Sequence, residues 1–189
     1  PDGVGHYTHY ERGSIYWTPT TGAHEVYGAV RDRWARLGWE RSPLGYPLTG
    51  ELRTPDGAGR YTRFQGGSIY WTPGTGAQEV RGAILDRWAA LRWEAGPLRF
   101  PRTGQLVTPD GRGRYNHFQA GSIYWTPQTG AHAVYGAIRA RWAALGWEAG
   151  SLGYPTRSEY DVPGGRATDF ERGRLTWNRA TGAVTVIGR

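Results

Sequence analysis

The chain of 189 residues is long enough for one or two domains, and with no cysteine it can form neither disulfides nor thiolate metal sites. No apolar run approaches the length of a bilayer-spanning helix and no signal peptide is present, so no membrane span is expected; a chain opening on Pro1 is expected to be a mature or trimmed fragment. The net charge of +7 is carried by arginine with no lysine anywhere, which favours anionic partners, but the arginines are scattered and not blocked into a tail, so nucleic acid is not the expected partner.

Self-similarity organises everything else. PDGVGHYTHYERGSIYWTPTTGA starts at Pro1, PDGAGRYTRFQGGSIYWTPGTGA at Pro55 and PDGRGRYNHFQAGSIYWTPQTGA at Pro109; an eroded copy starts at Pro163. The reading is one repeat domain over 1–189, with units 1–54, 55–108 and 109–162 and a partial unit 163–189.

Each unit opens as a β-hairpin. In the second copy Arg60–Phe64 and Ser68–Trp71 are strand-like, Gln65-Gly66-Gly67 turns between them, and Thr72-Pro73 ends the second strand. Thr75-Gly76 then reads as a helix entry, and a helix is expected over about 77–91, because Val80, Ile84, Trp88 and Leu91 fall on one stripe of a 3.6-residue period. Gly38 and Gly146 stand where a C-cap glycine belongs, and a loop through Pro97 and Pro101 returns to the next hairpin. In the last copy Val184-Thr185-Val186-Ile187 is strand-like by propensity yet aligns with the helix start at His132-Ala133-Val134-Tyr135, which leaves its state open. A single unit is too small to bury its own core, so stacking or ring closure is required. The fold class is therefore an α+β repeat, a hairpin plus a short helix per 54-residue unit.

The ordered series GSIYW, TGA, VxGAI, W, LG and PLGYP strongly resembles the LGFP repeat, named for a variant of Leu44-Gly45-Tyr46-Pro47 and Leu152-Gly153-Tyr154-Pro155. The resemblance covers nearly the whole chain. It implies units packed around a pseudo-symmetry axis, propeller- or disc-like, in an exported actinobacterial protein of the cell envelope. It implies a noncatalytic, lectin-like module that holds its protein on wall polysaccharide such as arabinogalactan, often beside an attached catalytic domain. Leu98-Arg99-Phe100-Pro101 breaks the motif's glycine, and the fourth unit lacks the motif.

Enzyme signatures such as HExxH, GxSxG and a phosphate loop are absent, and His24 and His132 correspond to Gln78, so no catalysis, cofactor or metal is expected. Asp2, Asp56 and Asp110 in Pro-Asp-Gly read as turn residues. Arg33, Arg87 and Arg141 are expected to pair with Glu40, Glu94 and Glu148, within or between units. In Ser-Ile-Tyr-Trp, strand alternation puts isoleucine and tryptophan on one face, read as core, and the tyrosine opposite. Since the eroded unit keeps Trp177 but has Thr176 for the tyrosine, Tyr16, Tyr70 and Tyr124 are candidate ligand contacts against a packing role. Trp39, Trp93 and Trp147 either pack behind the helix end or present an indole face to a sugar ring. His9, Arg63 and His117, with Asp169 in the last unit, vary in chemistry at one hairpin position, as exposed specificity residues would. The rival class is a protein-interaction or assembly module of a secreted complex. Arg92 and Arg99 replace two glycines of the flanking units, either by drift or as a distinct basic site.

Overall fold

A computed structural model describes residues 3–188; Asp2, read above as a turn residue, lies outside them. The first unit holds β1 (His6–Tyr10), β2 (Gly13–Thr18), β3 (Gly22–Tyr27) and α1 (Gly28–Leu37). The second holds β4 (Leu52–Arg53), β5 (Arg60–Phe64), β6 (Gly67–Thr72), β7 (Gly76–Arg81) and α2 (Gly82–Ala90). The third repeats this with β8 (Leu106–Val107), β9 (Arg114–His117), β10 (Gly121–Thr126), β11 (Gly130–Tyr135) and α3 (Gly136–Ala144). The last has strands alone: β12 (Tyr160–Val162), β13 (Gly165–Phe170), β14 (Gly173–Asn178) and β15 (Val184–Gly188). Every sheet is an antiparallel meander of neighbouring strands, and none closes on itself.

The expected helix over 77–91 is corrected in its first third. Gly76–Arg81 is a third strand, with Val80 opposite Ser68 and Gln78 opposite Tyr70. Thr75-Gly76 is thus a hairpin turn and not a helix entry: the Thr72 hydroxyl accepts from the Thr75 amide at 3.1 Å, and Gly76 takes φ +68°. The strand gives way to the helix at Gly82, whose φ of +56° is cheap for glycine alone. Val80 faces the same core from the strand as Ile84 and Trp88 do from the helix, which is why the apolar stripe ran through the junction. The open case of the last unit closes the same way, since β15 pairs with β14 as β11 pairs with β10.

Each helix is walled by two sheets. Trp34 and Val30 of α1 pack with Tyr16 and Val26 of their own unit, and with Phe64, Ile69 and Ala77 of the next. Trp88 and Ile84 of α2 pack likewise with Tyr70 and Val80, and with Phe118, Ile123 and Ala131. Trp142 and Ile138 of α3 pack with Tyr124 and Val134, and with Phe170 and Leu175. Trp34, Trp88 and Trp142 are fully buried, and truncating a core tryptophan typically costs about 3–5 kcal/mol. The sheet's two faces are therefore both core, one against its own helix and one against the helix before it. In the first unit the second wall is missing: Ile15 is 40% exposed where Ile69 is 0%.

The corner motif serves this packing. Leu44 and Tyr46 enter the core, Gly45 between them turns at φ +66°, and Pro47 bridges to Phe64 of the next hairpin. A side chain on Gly45 would press on Gln65, whose Oε1 accepts from the Tyr46 amide at 2.9 Å. Arg92 and Arg99 keep the glycine conformations, at φ +69° and +61°. Each thus bears the Cβ clash of a left-handed residue, worth about 1–2 kcal/mol. Arg92→Gly and Arg99→Gly are each expected to stabilise the chain by about 1 kcal/mol in urea denaturation, the gain being trimmed by the looser unfolded chain. A loss of stability in either variant would mean that the arginine makes a compensating contact.

The expected arginine–glutamate pair does run between units, but with another glutamate. Arg33 Nε on α1 reaches Oε2 of Glu79 on β7 at 2.6 Å, and the other Glu79 oxygen accepts from the Gln105 amide at 2.9 Å. Glu40, Glu94 and Glu148 are buried within the turn that follows each helix. Arg87, the counterpart of Arg33, donates instead to the Ala131 carbonyl at 2.8 Å, because the third unit has Ala133 where the second has Glu79.

Candidate functional site

After each helix the chain makes one 3-10 turn, Trp39–Arg41, Trp93–Ala95 or Trp147–Ala149. The three tryptophans lie at φ +57°, +53° and +56°, a left-handed backbone that a bulky residue adopts only when its surroundings impose it. Each ring is wedged edge-on against the buried helix tryptophan, at 5.3 Å in all three units, and lies nearly parallel to the hairpin tyrosine. One side of the indole is thereby fixed, and the residue is left half-buried.

In the third unit the free side meets His117, ring to ring at 6.0 Å, and the Arg139 guanidinium at 5.0 Å. Ser122 Oγ ties both down, lying 2.7 Å from His117 Nδ1 and accepting from Arg139 Nε at 2.7 Å. The first unit repeats this with His9, Arg31, Ser14 and Trp39. In the second, Arg63 stands for the histidine and Leu85 for the helix arginine, and a cleft of about 560 Å³ opens between Arg63, Ser68, Leu85, Asp86 and Trp93. An indole edged by guanidinium, hydroxyl, imidazole or carboxylate offers apolar stacking with directional hydrogen bonds around it.

The structure thus brings Tyr16, Trp39 and His9 into one cluster, Tyr70, Trp93 and Arg63 into the second, and Tyr124, Trp147 and His117 into the third. The tyrosines do not face away from the core as expected. Tyr70 is 4% exposed, stacked on Tyr61 at 4.8 Å and edge-on to Trp88 at 4.7 Å, because its face is covered by the unit's own helix. Burial, followed by the nearby Glu94 or Glu148, pushes the Tyr70 and Tyr124 hydroxyls up, so both stay neutral. Glu94 and Glu148 are themselves raised by burial. His117 is lowered, first by burial and then by Arg139.

Sequence reasoning missed a second recurrent feature. Trp71 and Trp125, set aside as core, are only half-buried, and they line pockets where consecutive units meet. At the first junction Tyr27, Glu51, Arg60 and Trp71 surround about 310 Å³, with Arg60 paired to Glu51 at 2.7 Å. At the third, Arg166 lies 3.2 Å from Glu159 and over the Tyr135 ring. The available signal was Arg60, Arg114 and Arg166, an arginine repeated at the start of the hairpin in every unit but the first. Glu159 is pushed up to about 7, since burial outweighs the attraction of Arg166. A carboxyl raised in the folded chain favours folding below its unfolded value and loses that contribution as the pH climbs through about 7. Stability measured in urea from pH 5 to 8 is expected to fall more steeply in the native chain than in Glu159→Gln; parallel profiles would contradict the assignment.

Fold and clefts together define a tandem repeat protein of alternating small antiparallel sheets and short helices. The chain belongs to the LGFP repeat family, whose profile matches residues 1–42, 44–96, 98–150 and 152–189. No curated protein matches it. Among solved structures, the extracellular domain of a hybrid two-component system from B. thetaiotaomicron aligns at 12% identity and a TM-score of 0.22, over 95% of this chain and 22% of that one. The extracellular domain of a one-component system from the same organism aligns at 10% identity and a TM-score of 0.19, over 94% and 22%. The chain therefore spans about a fifth of the length of these structures.

Proposed function

We propose that this chain is a noncatalytic carbohydrate-binding module that holds an exported protein on cell-envelope glycan, an actinobacterial wall polysaccharide such as arabinogalactan. The observation that carries this reading is the threefold cluster around Trp39, Trp93 and Trp147. In each, an indole is locked from behind by strained backbone and by the helix tryptophan; its other side carries a guanidinium, with a histidine beside it, in the first and third units and opens into the cleft in the second. His9, Arg63 and His117 tune the rim, while Tyr16, Tyr70 and Tyr124 form the floor and not the contact surface. Three weak sites on a repetitive polymer gain by effective concentration.

Retention of the full chain on insoluble arabinogalactan-bearing wall tests this. The native chain is expected to stay bound at moderate salt, each single Trp→Ala variant to weaken retention, and the triple variant at 39, 93 and 147 to lose it while circular dichroism stays native. Equal retention of the triple variant would sink the reading.

A second reading, a protein-interaction or assembly module, has its own observation. The uncovered face of the first sheet presents Ile15 and Trp17, the positions that the preceding helix covers in later units. In a disc-like arrangement of units, this is the face that a neighbouring unit would close. Pull-down of a specific polypeptide, lost in Ile15→Lys and indifferent to glycan, would favour it.

A further inference from the structure

The three junctions share one plan but not one charge. The first sets Tyr27 and Glu51 against Arg60, and the third sets Tyr135 and Glu159 against Arg166, so in each a carboxylate answers the arginine. At the middle junction the same positions hold Arg81, Gln105 and Arg114. Tyrosine has become a second arginine and the carboxylate has become a neutral amide. These two changes act in the same direction: they add a positive charge and delete the negative one.

The result is a pocket of about 280 Å³ lined by Arg81, Gln105, Arg114 and Trp125 together with the first residues of α2. Among the described residues neither guanidinium has a hydrogen-bond or ion-pair partner. Glu79 is the carboxylate whose field reaches Arg81, but its oxygens are already held by Arg33 and by the Gln105 amide. Gln105 Nε2 is turned to the Arg81 carbonyl at 3.4 Å. Burial first, and then the nearby Arg114 charge, lower Arg81 against the opposing pull of Glu79. The amino end of α2 carries no acidic residue in its first turn and no side-chain cap, so its field adds to theirs.

We propose that the middle junction is an oxyanion-binding site, in which the Arg81 and Arg114 guanidinium groups take a phosphate or carboxylate group of a ligand and the Trp125 ring packs against the moiety that bears it. Paired guanidinium groups suit the fork geometry of such groups. Its flanking counterparts, with their internal carboxylates, are closed to anions. The site gives one chain two kinds of recognition, neutral at the clefts and anionic at one junction, and it stands whether or not the clefts bind sugar.

The test uses the full chain and two probes, dimethyl phosphate and glucuronate, with binding followed by NMR shifts of the Trp125 indole. The double variant Arg81→Tyr with Gln105→Glu installs the residues that the flanking junctions carry at these positions, and it should weaken binding about tenfold or more while leaving the rest of the spectrum native. The converse pair, Tyr135→Arg with Glu159→Gln, should create a second site at the third junction, read at Trp177. Preference for dimethyl phosphate would assign the ligand to a phosphodiester polymer, and preference for glucuronate to an acidic sugar. The proposal is overturned if neither probe shifts the native chain, or if binding survives in the Arg81→Tyr, Gln105→Glu variant.

Discussion

Every other feature of this chain depends on one packing constraint: a short helix must be covered on two sides, and its own unit can cover only one. The helix tryptophans Trp34, Trp88 and Trp142 reach zero exposure because Phe64 and Ile69, Phe118 and Ile123, or Phe170 and Leu175 arrive from the next hairpin. The corner motif turns the chain so that this second wall lands correctly, which gives Leu44, Gly45 and Tyr46 an architectural role. The unit of stability is therefore the junction and not the repeat. The same junctions also leave pockets in which Glu51 and Arg60, or Arg81, Gln105 and Arg114, lie beside the half-buried Trp71 or Trp125.

The three repeated clusters occupy what the packing leaves over. The tryptophan after each helix is held in a backbone conformation it would not choose, and the holding comes from the buried tryptophan behind it. Within the clusters the variation lies at the rim: His9, Arg63 and His117 at one position, and Arg31, Leu85 and Arg139 at another. Loss of the helix arginine in the second unit widens that cleft without touching the core beneath it. The middle of the chain differs from its flanks at the corner (Arg99), the cleft (Arg63 and Leu85) and the junction (Arg81 and Gln105), while Ser68 and Arg114 match their counterparts.

Much of this was legible in the sequence because a repeat is compared with itself. The hairpins, the buried helix tryptophans, the left-handed glycines and the candidate tryptophans all follow from periodicity and alignment between units. The errors share a cause. A single-unit reading assumes one core face per sheet, so it sent Tyr70 outward and buried Trp71, when neighbouring units cover both faces and leave the strand's end half-open. The third strand was mistaken for helix because Val80 serves the same core from either conformation, and only the left-handed Gly82 marks the change. Glu79 was overlooked as the ionic partner because Glu40, Glu94 and Glu148 recur in three units while the third unit has Ala133 at the position of Glu79.

The dependence of each helix on the following sheet also sets an order in time. A polypeptide made from its amino end completes α1 with Trp34 well before Ile69 and Ala77 exist to shield it, and the same delay recurs for α2 and α3. During synthesis, one half-covered apolar helix therefore always trails the growing end, and it is relieved only by the next hairpin.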